Sequence, residues 1–210
     1  MAIINGTAAG EPLNGTTGDD EIYGFGGNDT IAGGTGNDVI DGGVGADTVT
    51  GGDGNDTVTI GSGDNIDGQA ADDTFTFAST GEAALGTTYV TGGSGVDSLI
   101  LDFSGANDVV TSSGGTNGSG YIAGIYYYTM ESLTITGGTA SDLLIGNDGN
   151  DTLTGNAGND RLIGGLGLNT LRGGVGLDYG EINLRGSSAA VTFTFTATTN
   201  LSLAGNILQG

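Results

Sequence analysis

The chain has no cysteine, no histidine and no tryptophan, and it has a single proline in 210 residues. Without cysteine it can form neither a disulfide nor a thiolate nucleophile, and without histidine a Ser-His-Asp triad and most zinc sites are excluded as well. Basic residues are almost as rare, since three arginines are outnumbered by 25 Asp and Glu, and the formal net charge is −22. A charge of this sign and size excludes nucleic acid and anionic membrane surfaces as natural partners.

Long apolar runs are missing too. The N-terminal sequence MAIINGTAAG has neither a basic segment nor an apolar core, so it is unlike a Sec signal peptide. No window of the sequence is long and apolar enough to span a bilayer. The sequence therefore predicts no membrane insertion.

Glycine, in contrast, is abundant, with 46 residues, and much of it follows a nine-residue period. Residues 24–59 divide into the repeats GFGGNDTIA, GGTGNDVID, GGVGADTVT and GGDGNDTVT. In nearly every repeat, glycine occupies positions one, two and four, aspartate position six and a branched apolar residue position eight. Tandem repeats of this form are a known signature of parallel β-helices that bind calcium.

The spacing has a physical reason. The last three residues of each repeat favour a strand in which the side chain at position eight points inward and its two neighbours point outward. The first six residues must reverse the chain, and glycine tolerates the positive φ and close backbone approach that such turns require. Two repeats then complete a coil of eighteen residues, and the next coil stacks about 4.8 Å above it.

Stacked coils place every second aspartate over its predecessor. Two carboxylates about 5 Å apart repel by about 0.8 kcal/mol in water and by about 3 kcal/mol at an effective dielectric constant of about 20. A hard divalent cation between them reverses the sign, and carboxylates with backbone carbonyls are the oxygen ligands that calcium prefers. The sequence predicts two such columns of stacked aspartates, each of which is called a file. One file consists of Asp20, Asp38, Asp56 and Asp73, and the other of Asp29, Asp47 and Asp64.

These tandem repeats resemble the RTX (repeats-in-toxin) family of secreted bacterial proteins, whose repeats are also called hemolysin-type calcium-binding repeats. The resemblance covers most of the chain and implies an all-β fold, a right-handed parallel β-roll. It also implies export by type I secretion and an extracellular location at the bacterial cell surface.

The resemblance further implies where calcium would bind. In that family each ion lies between repeats n and n+2 and takes carbonyl oxygens from positions two and four of the first, from positions one and three of the second, and a carboxylate from each. Carried over to this sequence, the implied metal residues are Thr16, Gly18, Asp20, Phe25, Gly27, Asp29, Gly33, Gly34, Thr35, Gly36, Asp38, Gly42, Gly43, Val44, Gly45, Asp47, Gly51, Gly52, Asp53, Gly54, Asp56, Asp64, Gly68, Ala70, Asp73, Asp97, Gly138, Ala140, Asp142, Asn147, Gly149, Asp151, Gly155, Asn156, Ala157, Gly158, Asp160, Gly164, Leu166, Asn169, Gly173, Val175 and Asp178.

The repeats are not continuous along the chain. They weaken after residue 76 and resume at Gly137, and residues between these points alternate apolar side chains as longer strands do. A linker between two rolls is the alternative for this stretch, but its aromatic residues argue against one. The predicted segments are an N-terminal cap and degenerate first repeat (1–14), a first calcium-binding block (15–76), wider irregular β-coils (77–136), a second block (137–180) and a C-terminal β cap or the start of a further coil (181–210).

Charge balance sets the expected amount of calcium. Roughly eight calcium ions would cancel about 16 of the 22 net negative charges, which suits sites built from acidic oxygen ligands. A glycine-rich chain with this charge lacks the composition of a stable fold on its own. We therefore expect folding to be coupled to calcium.

Three functions remain open from sequence. The first is a non-catalytic calcium-binding module of a larger adhesin, surface-layer or similar protein, which could also contact other copies of itself. The second is a carbohydrate-recognition module that uses the tyrosines of residues 121–128, where alternation places Tyr126 and Tyr128 on one face and Tyr127 on the other. The third is the accessory roll of a secreted hydrolase. No catalytic residues are predicted within the chain.

Overall fold

The computed structural model of the chain describes residues 1–78 and 86–181, and these ranges contain β-strands and no helix. None of their elements is therefore a helix that could cross a membrane. The predicted C-terminal cap, beyond residue 181, lies outside the described residues. The strands are β1 (Ile3–Asn5), β2 (Pro12–Asn14), β3 (Glu21–Tyr23), β4 (Thr30–Thr35), β5 (Val39–Asp41), β6 (Thr48–Asp53), β7 (Thr57–Thr59), β8 (Asn65–Ala70), β9 (Thr74–Ala78), β10 (Thr88–Ser94), β11 (Ser98–Asp102), β12 (Ser112–Ser113), β13 (Gly120–Ile122), β14 (Ile125–Tyr128), β15 (Ser132–Thr136), β16 (Leu143–Ile145), β17 (Thr152–Ala157), β18 (Arg161–Ile163), β19 (Thr170–Val175) and β20 (Tyr179–Glu181).

The described residues form two compact units. The first unit contains residues 1–77, 86–100 and 124–130, and the second contains residue 78 and residues 101–123 and 131–181. In the first unit, odd-numbered strands form a parallel sheet in the order β1-β3-β5-β7-β9, and the second sheet has the order β2-β4-β6-β8-β10-β14. Chain order therefore alternates between the two sheets, as in a flattened coil.

The register of the first unit follows the eighteen-residue coil. Ile22 of β3 pairs with Ile40 of β5, and Ile40 pairs with Val58 of β7. The register shortens to seventeen residues between Thr48 and Asn65, because the repeat that contains Asp64 is one residue short. It then widens, since Asn65 of β8 pairs with Tyr89 of β10.

The second unit repeats the same arrangement. Strands β15, β17 and β19 form one parallel series, and β16, β18 and β20 form another. Leu153 pairs with Leu171 and Leu144 with Leu162, both at a spacing of eighteen residues. Strands β12 and β13 pair antiparallel and so depart from the roll pattern. Apart from this pair, the parallel coils confirm the expected fold class, an all-β parallel β-roll.

The core of each unit is a column of inward side chains at position eight. They include Ile22, Ile40 and Val58 of the first unit, all fully buried. Burial of a side chain of this size stabilises a fold by roughly 1.5–3 kcal/mol. The corresponding column of the second unit consists of Leu144, Leu153, Leu162 and Leu171.

The turns are joined to one another by a second column of polar side chains, at position five. The Asn37 side-chain oxygen accepts the backbone N–H of Asn55 one coil later, at 2.8 Å, and Asn37 itself donates its N–H to Asp19, also at 2.8 Å. Asn159 and Ser141 continue the pattern in the second unit, where Asn159 donates its N–H to the Ser141 hydroxyl. These bonds satisfy turn amides that no strand ladder reaches.

Position one requires glycine because the aspartate of the same repeat folds back over it. A Cβ on Gly33 would lie 2.5 Å from Oδ2 of Asp38 and would also overlap the carbonyl oxygen of Gly51 in the next coil. Gly18, at position four of an earlier repeat, has no atom within 4 Å of its Cβ position. The two glycines therefore differ in steric demand.

We expect Gly33→Ala to lower the free energy of unfolding by about 1–3 kcal/mol, because the added methyl overpacks the turn. Gly18→Ala is the matched control, and it should leave stability unchanged or raise it by up to about 1 kcal/mol, since alanine has less freedom in the unfolded chain. Urea unfolding of both variants in one calcium-containing buffer measures the difference. Equal losses would show that the aspartate does not set the steric limit at Gly33.

Candidate metal centre

The position-six side chains all stand at the same point of the fold, immediately before a strand. Asp38 precedes β5, Asp56 precedes β7 and Asp160 precedes β18. These carboxylates are buried although they are charged, and Asp38 and Asp56 are each 1% exposed. A buried carboxylate is costly unless its oxygens are paired, so the partners of each oxygen decide what the turn can do.

One oxygen of each carboxylate joins successive coils. Oδ1 of Asp56 accepts the backbone N–H of Asp38 at 2.8 Å, and Oδ1 of Asp38 accepts that of Asp20 at 2.8 Å. The second file has the same bonds, from Asp29 to Asp47 and from Asp47 to Asp64. In the second unit Asp142 donates to Asp160 at 2.8 Å and Asp160 donates to Asp178 at 3.0 Å.

The files extend beyond the repeats from which they were predicted. Asp73 donates its N–H to Oδ1 of Asp97 at 2.9 Å, so Asp97 continues the file that contains Asp56. The N–H groups of Ala2 and Glu11 donate to Asp20 and Asp29 at the beginning of the two files. Thr88 occupies the next place in the file after Asp64, and its hydroxyl oxygen accepts the N–H of Gly63 at 2.9 Å.

The second oxygen of many of these carboxylates has no partner. Oδ2 is buried and accepts no hydrogen bond in seven of the described repeats, although Oδ1 of the same group is bonded. Leaving such an atom unpaired costs about 1–3 kcal/mol, and more for a charged group. Binding of a cation or a proton at each of these oxygens would therefore stabilise the fold. The seven residues are Asp29, Asp38, Asp47, Asp56, Asp73, Asp160 and Asp178.

Backbone carbonyls of successive coils lie in the same part of the repeat. The carbonyl oxygen of Asp53 accepts the N–H of Gly36 at 2.8 Å across successive coils. The carbonyl oxygens of Gly34 and Gly36 point at the next coil, because they would overlap a Cβ on Gly52 or Gly54. The predicted set of Gly34, Gly36, Asp38, Gly51, Asp53 and Asp56 therefore lies on two adjacent coils that are bonded to each other.

The other predicted sets gather in the same way. In the turn of Asp29 and Asp47, the Phe25 carbonyl accepts the N–H of Val44 at 2.9 Å, and the Gly27 carbonyl points at Gly45. In the second unit the Val175 carbonyl accepts the N–H of Gly158 at 3.0 Å. The remaining predicted residues occupy the equivalent positions of their repeats, some of them in turns and some at the ends of the longer strands β4, β6, β8, β17 and β19: Thr16, Gly18, Gly33, Thr35, Gly42, Gly43, Gly52, Gly54, Gly68, Ala70, Gly138, Ala140, Asn147, Gly149, Gly155, Asn156, Ala157, Gly164, Leu166 and Gly173.

Burial disfavours the ionised form of most of these carboxyl groups and so raises their pKa. It raises the pKa of Asp56 and of Asp160 to about 6, and that of Asp73 to about 7, with the neighbouring carboxylate of the file adding to the rise. Asp20 behaves differently, because the N–H groups of Ala2 and Thr16 lower its pKa. The files are thus sites where positive charge would be strongly favoured.

The donor set decides which cation fits. No three Asp, Glu, His or Cys side chains gather into one cluster within residues 1–78 and 86–181. A cation in these turns would therefore have two carboxylates and several backbone carbonyls as ligands, all of them oxygen. Such a set, flexible and rich in carbonyls, suits calcium better than zinc or magnesium. The residues present therefore fit calcium.

At Asn169 an amide group replaces the position-six carboxylate, so an NH2 group stands where the aspartates have Oδ2. Its Oδ1 accepts the N–H of Asp151 at 2.8 Å, as the aspartates do. This bond fixes its amide nitrogen on the other side, where it donates to the carbonyl oxygen of Leu166 at 2.8 Å. An uncharged donor thus occupies the place of the unpaired oxygen and uses a carbonyl from the predicted ligand set.

Sequence reasoning missed two groups of residues in these turns. One is the position-five column, for which the recurring Asn-Asp dipeptide was an available signal, as at Asn37 and Asp38. The other is position nine, where Asp41 and Asp67 accept the N–H of Gly43 and of Gln69 at 3.0 and 3.2 Å. No regular spacing marks these last two residues, since position nine is threonine or another residue in most repeats.

Comparison with known proteins agrees with this geometry. The family model of the RTX calcium-binding nonapeptide repeat matches residues 5–40, 23–58, 32–67, 136–171 and 154–179. No curated protein matches the chain. The matched residues together cover 5–67 and 136–179, which is more than half of the 210 residues. The repeats, the parallel roll and the oxygen-lined turns thus lead to one conclusion, that the chain belongs to the RTX calcium-binding nonapeptide repeat family.

Proposed function

We propose that the chain is a non-catalytic module whose folding is driven by calcium after export, and that it forms part of a larger secreted or cell-surface bacterial protein. The observation that carries this proposal is the set of seven buried carboxylate oxygens without a partner. Each belongs to a repeat whose predicted carbonyl ligands lie on the same coil and on the adjacent one. Calcium binding to the folded turns alone would shift the folding equilibrium toward the roll.

Electrostatic repulsion between acidic side chains opposes folding of the roll. Like charges stack along each file, and the net charge of −22 opposes compaction. The position-eight columns supply favourable burial, but each strand contributes few inward side chains. Roughly eight ions, bound if every predicted site were occupied, would cancel about 16 of the 22 net negative charges.

The same coupling suits export. Calcium is scarce inside cells and abundant outside, so the chain would remain unfolded before secretion and fold on reaching the exterior. The type I route and the surface location belong to this proposal, as does a role within an adhesin or surface-layer protein. An accessory roll attached to a secreted hydrolase is the alternative context for the same module.

Far-UV circular dichroism of the intact chain, titrated with calcium after EGTA treatment, tests the coupling. We expect the β-sheet signal to appear cooperatively between micromolar and millimolar calcium, because each ion needs two successive coils. Magnesium is the matched control, and it should be much less effective, since it retains its water and demands a tighter octahedral site. A chain that is fully folded in EGTA, or that folds equally in magnesium, would contradict the proposal.

Protons should replace calcium in part. Burial raises the pKa of Asp56 to about 6 and that of Asp73 to about 7, against about 3.9 in an unfolded chain. The folded state therefore binds more protons than the unfolded state between about pH 4 and pH 7, and stability without calcium falls as pH rises through this window.

We accordingly expect the EGTA-treated chain to gain β-sheet signal as pH is lowered from 7.5 to 5. At pH 5 the calcium midpoint should shift to a higher concentration, because protons compete for the same oxygens. The near-UV signal of the tyrosines separates a packed roll from a molten state. A calcium-free signal that does not change between pH 5 and 7.5 would count against the proton effect.

A second candidate function rests on exposed tyrosines. Tyr89 of β10 pairs with Tyr126 of β14, and their rings stack with centroids 5.4 Å apart. Tyr128 lies on the same face, while Tyr127 is fully buried, so the predicted alternation is confirmed. Each of the three outward tyrosines is about two-fifths exposed, at 43, 39 and 42%. Aromatic rings presented in this way favour contact with a sugar.

A glycan array probed with the calcium-loaded chain tests this candidate. Binding should fall at least tenfold on Tyr126→Ala and on Tyr89→Ala, and remain unchanged on Tyr23→Ala, which alters a tyrosine of the other sheet. An array with no signal for the folded chain would exclude the candidate at the affinities that arrays detect.

A further inference from the structure

The turns fall into two classes, and the backbone at position two separates them. In the repeats whose Asp Oδ2 is unpaired, the residue at position two has positive φ, for example +110° at Gly34 and +72° at Asn156. This holds even where the residue is not glycine, as for Phe25 and Gln69, at +68° and +79°. These turns, named open because their Asp Oδ2 is unpaired, have Phe25, Gly34, Gly43, Gly52, Gln69, Asn156 and Gly174 at position two.

In the other class, the position-two amide caps the carboxylate of its own repeat. Thr16 donates its N–H to Oδ2 of Asp20 at 2.6 Å, and Gly138 donates to Oδ2 of Asp142 at 2.9 Å. Neither donor has positive φ. Two further turns of this class contain Asn147 with Asp151, at 2.8 Å, and Gly61 with Asp64, at 2.6 Å.

The two states exclude each other because one peptide group cannot point both ways. At Gly43 and Gln69, in two of the open turns, the position-two amide faces outward and is accepted by the position-nine carboxylates of Asp41 and Asp67. In the capped turns the same amide faces inward, and its partial positive charge lies against Oδ2. A cation approaching that oxygen would meet the N–H dipole with the wrong sign.

We propose that calcium is confined to pairs of open turns, and that the capped turns hold their carboxylates without it. This inference rests on the proposed function, and it names which of the family's expected sites this chain leaves out. Pairs with both turns open are Asp29–Asp47, Asp38–Asp56, Asp56–Asp73 and Asp160–Asp178. Pairs with a capped turn are Asp20–Asp38, Asp47–Asp64, Asp142–Asp160 and Asp151–Asn169.

Three of the four capped carboxylates lie near the beginning of a series of repeats. Asp20 is near the beginning of the first series, and Asp142 and Asp151 belong to the first two repeats of the second. The fourth, Asp64, lies near the end of the first series. Only in the second series are both turns of the first coil capped.

Asp160 offers an internal comparison, because it has an open neighbour on one side and a capped neighbour on the other. Its Oδ1 accepts the N–H of Asp142, and its own N–H donates to Asp178. Crystals of the intact chain grown in calcium, with anomalous scattering recorded at long wavelength, locate each ion directly. We expect a calcium peak between Asp160 and Asp178 and none between Asp142 and Asp160. A peak of equal height at both places overturns the proposal.

Two variants test the same assignment in solution by native mass spectrometry at saturating calcium. Asp178→Asn should lower the number of bound calcium ions by one, and Asp142→Asn should leave it unchanged. A loss of one ion in both variants overturns the proposal and leaves calcium binding itself intact. A wild-type chain that binds no calcium overturns the proposed function and this inference together. If Asp142→Asn does not fold, the crystal experiment on the wild-type chain still decides.

Discussion

The structure depends on one constraint, which is that an eighteen-residue coil places identical positions directly above one another. The inward column benefits, because Ile22, Ile40 and Val58 pack into a continuous core. In the position-six column the same register produces repulsion between carboxylates, because Asp38 lies over Asp20 and under Asp56 with no basic side chain between them. Every other feature of the turn can be understood as a response to this column of buried charge.

The chain uses three responses, and they can be compared within one molecule. At Asp142 a backbone amide donates to the second carboxylate oxygen. At Asn169 the oxygen itself is replaced by an amide nitrogen, which bonds a turn carbonyl. At Asp160 the oxygen is left unpaired, with its pKa raised by burial, so the turn has to acquire positive charge from solution. Burial raises the pKa of the capped Asp142 as well, so dependence on protons is common to Asp142 and Asp160, and the two turns differ in whether the second carboxylate oxygen has a donor.

The sequence predicts the average repeat well and its exceptions poorly. The period of nine predicts the strand at positions seven to nine, the inward side chain and the stacking of Asp38 on Asp56, because side-chain chemistry marks each of these. It does not predict the orientation of the position-two peptide, since Gly34 and Gly138 are the same residue and adopt different φ. Glycine accepts either sign of φ at little cost, so the neighbouring coil decides. The widened coil at Tyr89 and the antiparallel pair β12–β13 likewise follow from segments without the period.

The polar side chains at positions five and six accept backbone N–H groups from opposite neighbouring coils. Position five of one coil accepts an N–H from the coil that follows it, as Asn37 does from Asn55, whereas position six accepts from the coil that precedes it, as Asp56 does from Asp38. The coil that contains Asn37 and Asp38 is therefore bonded to both neighbours through side chains as well as through its strands. In a linear array, stability is a sum of such neighbour terms, so growth is favourable once a first pair of coils exists. In the second unit both turns of the first coil are capped, at Asp142 and Asp151, so their second carboxylate oxygens already have donors. The next coil contains the open turn of Asp160, and there the array can extend by binding calcium.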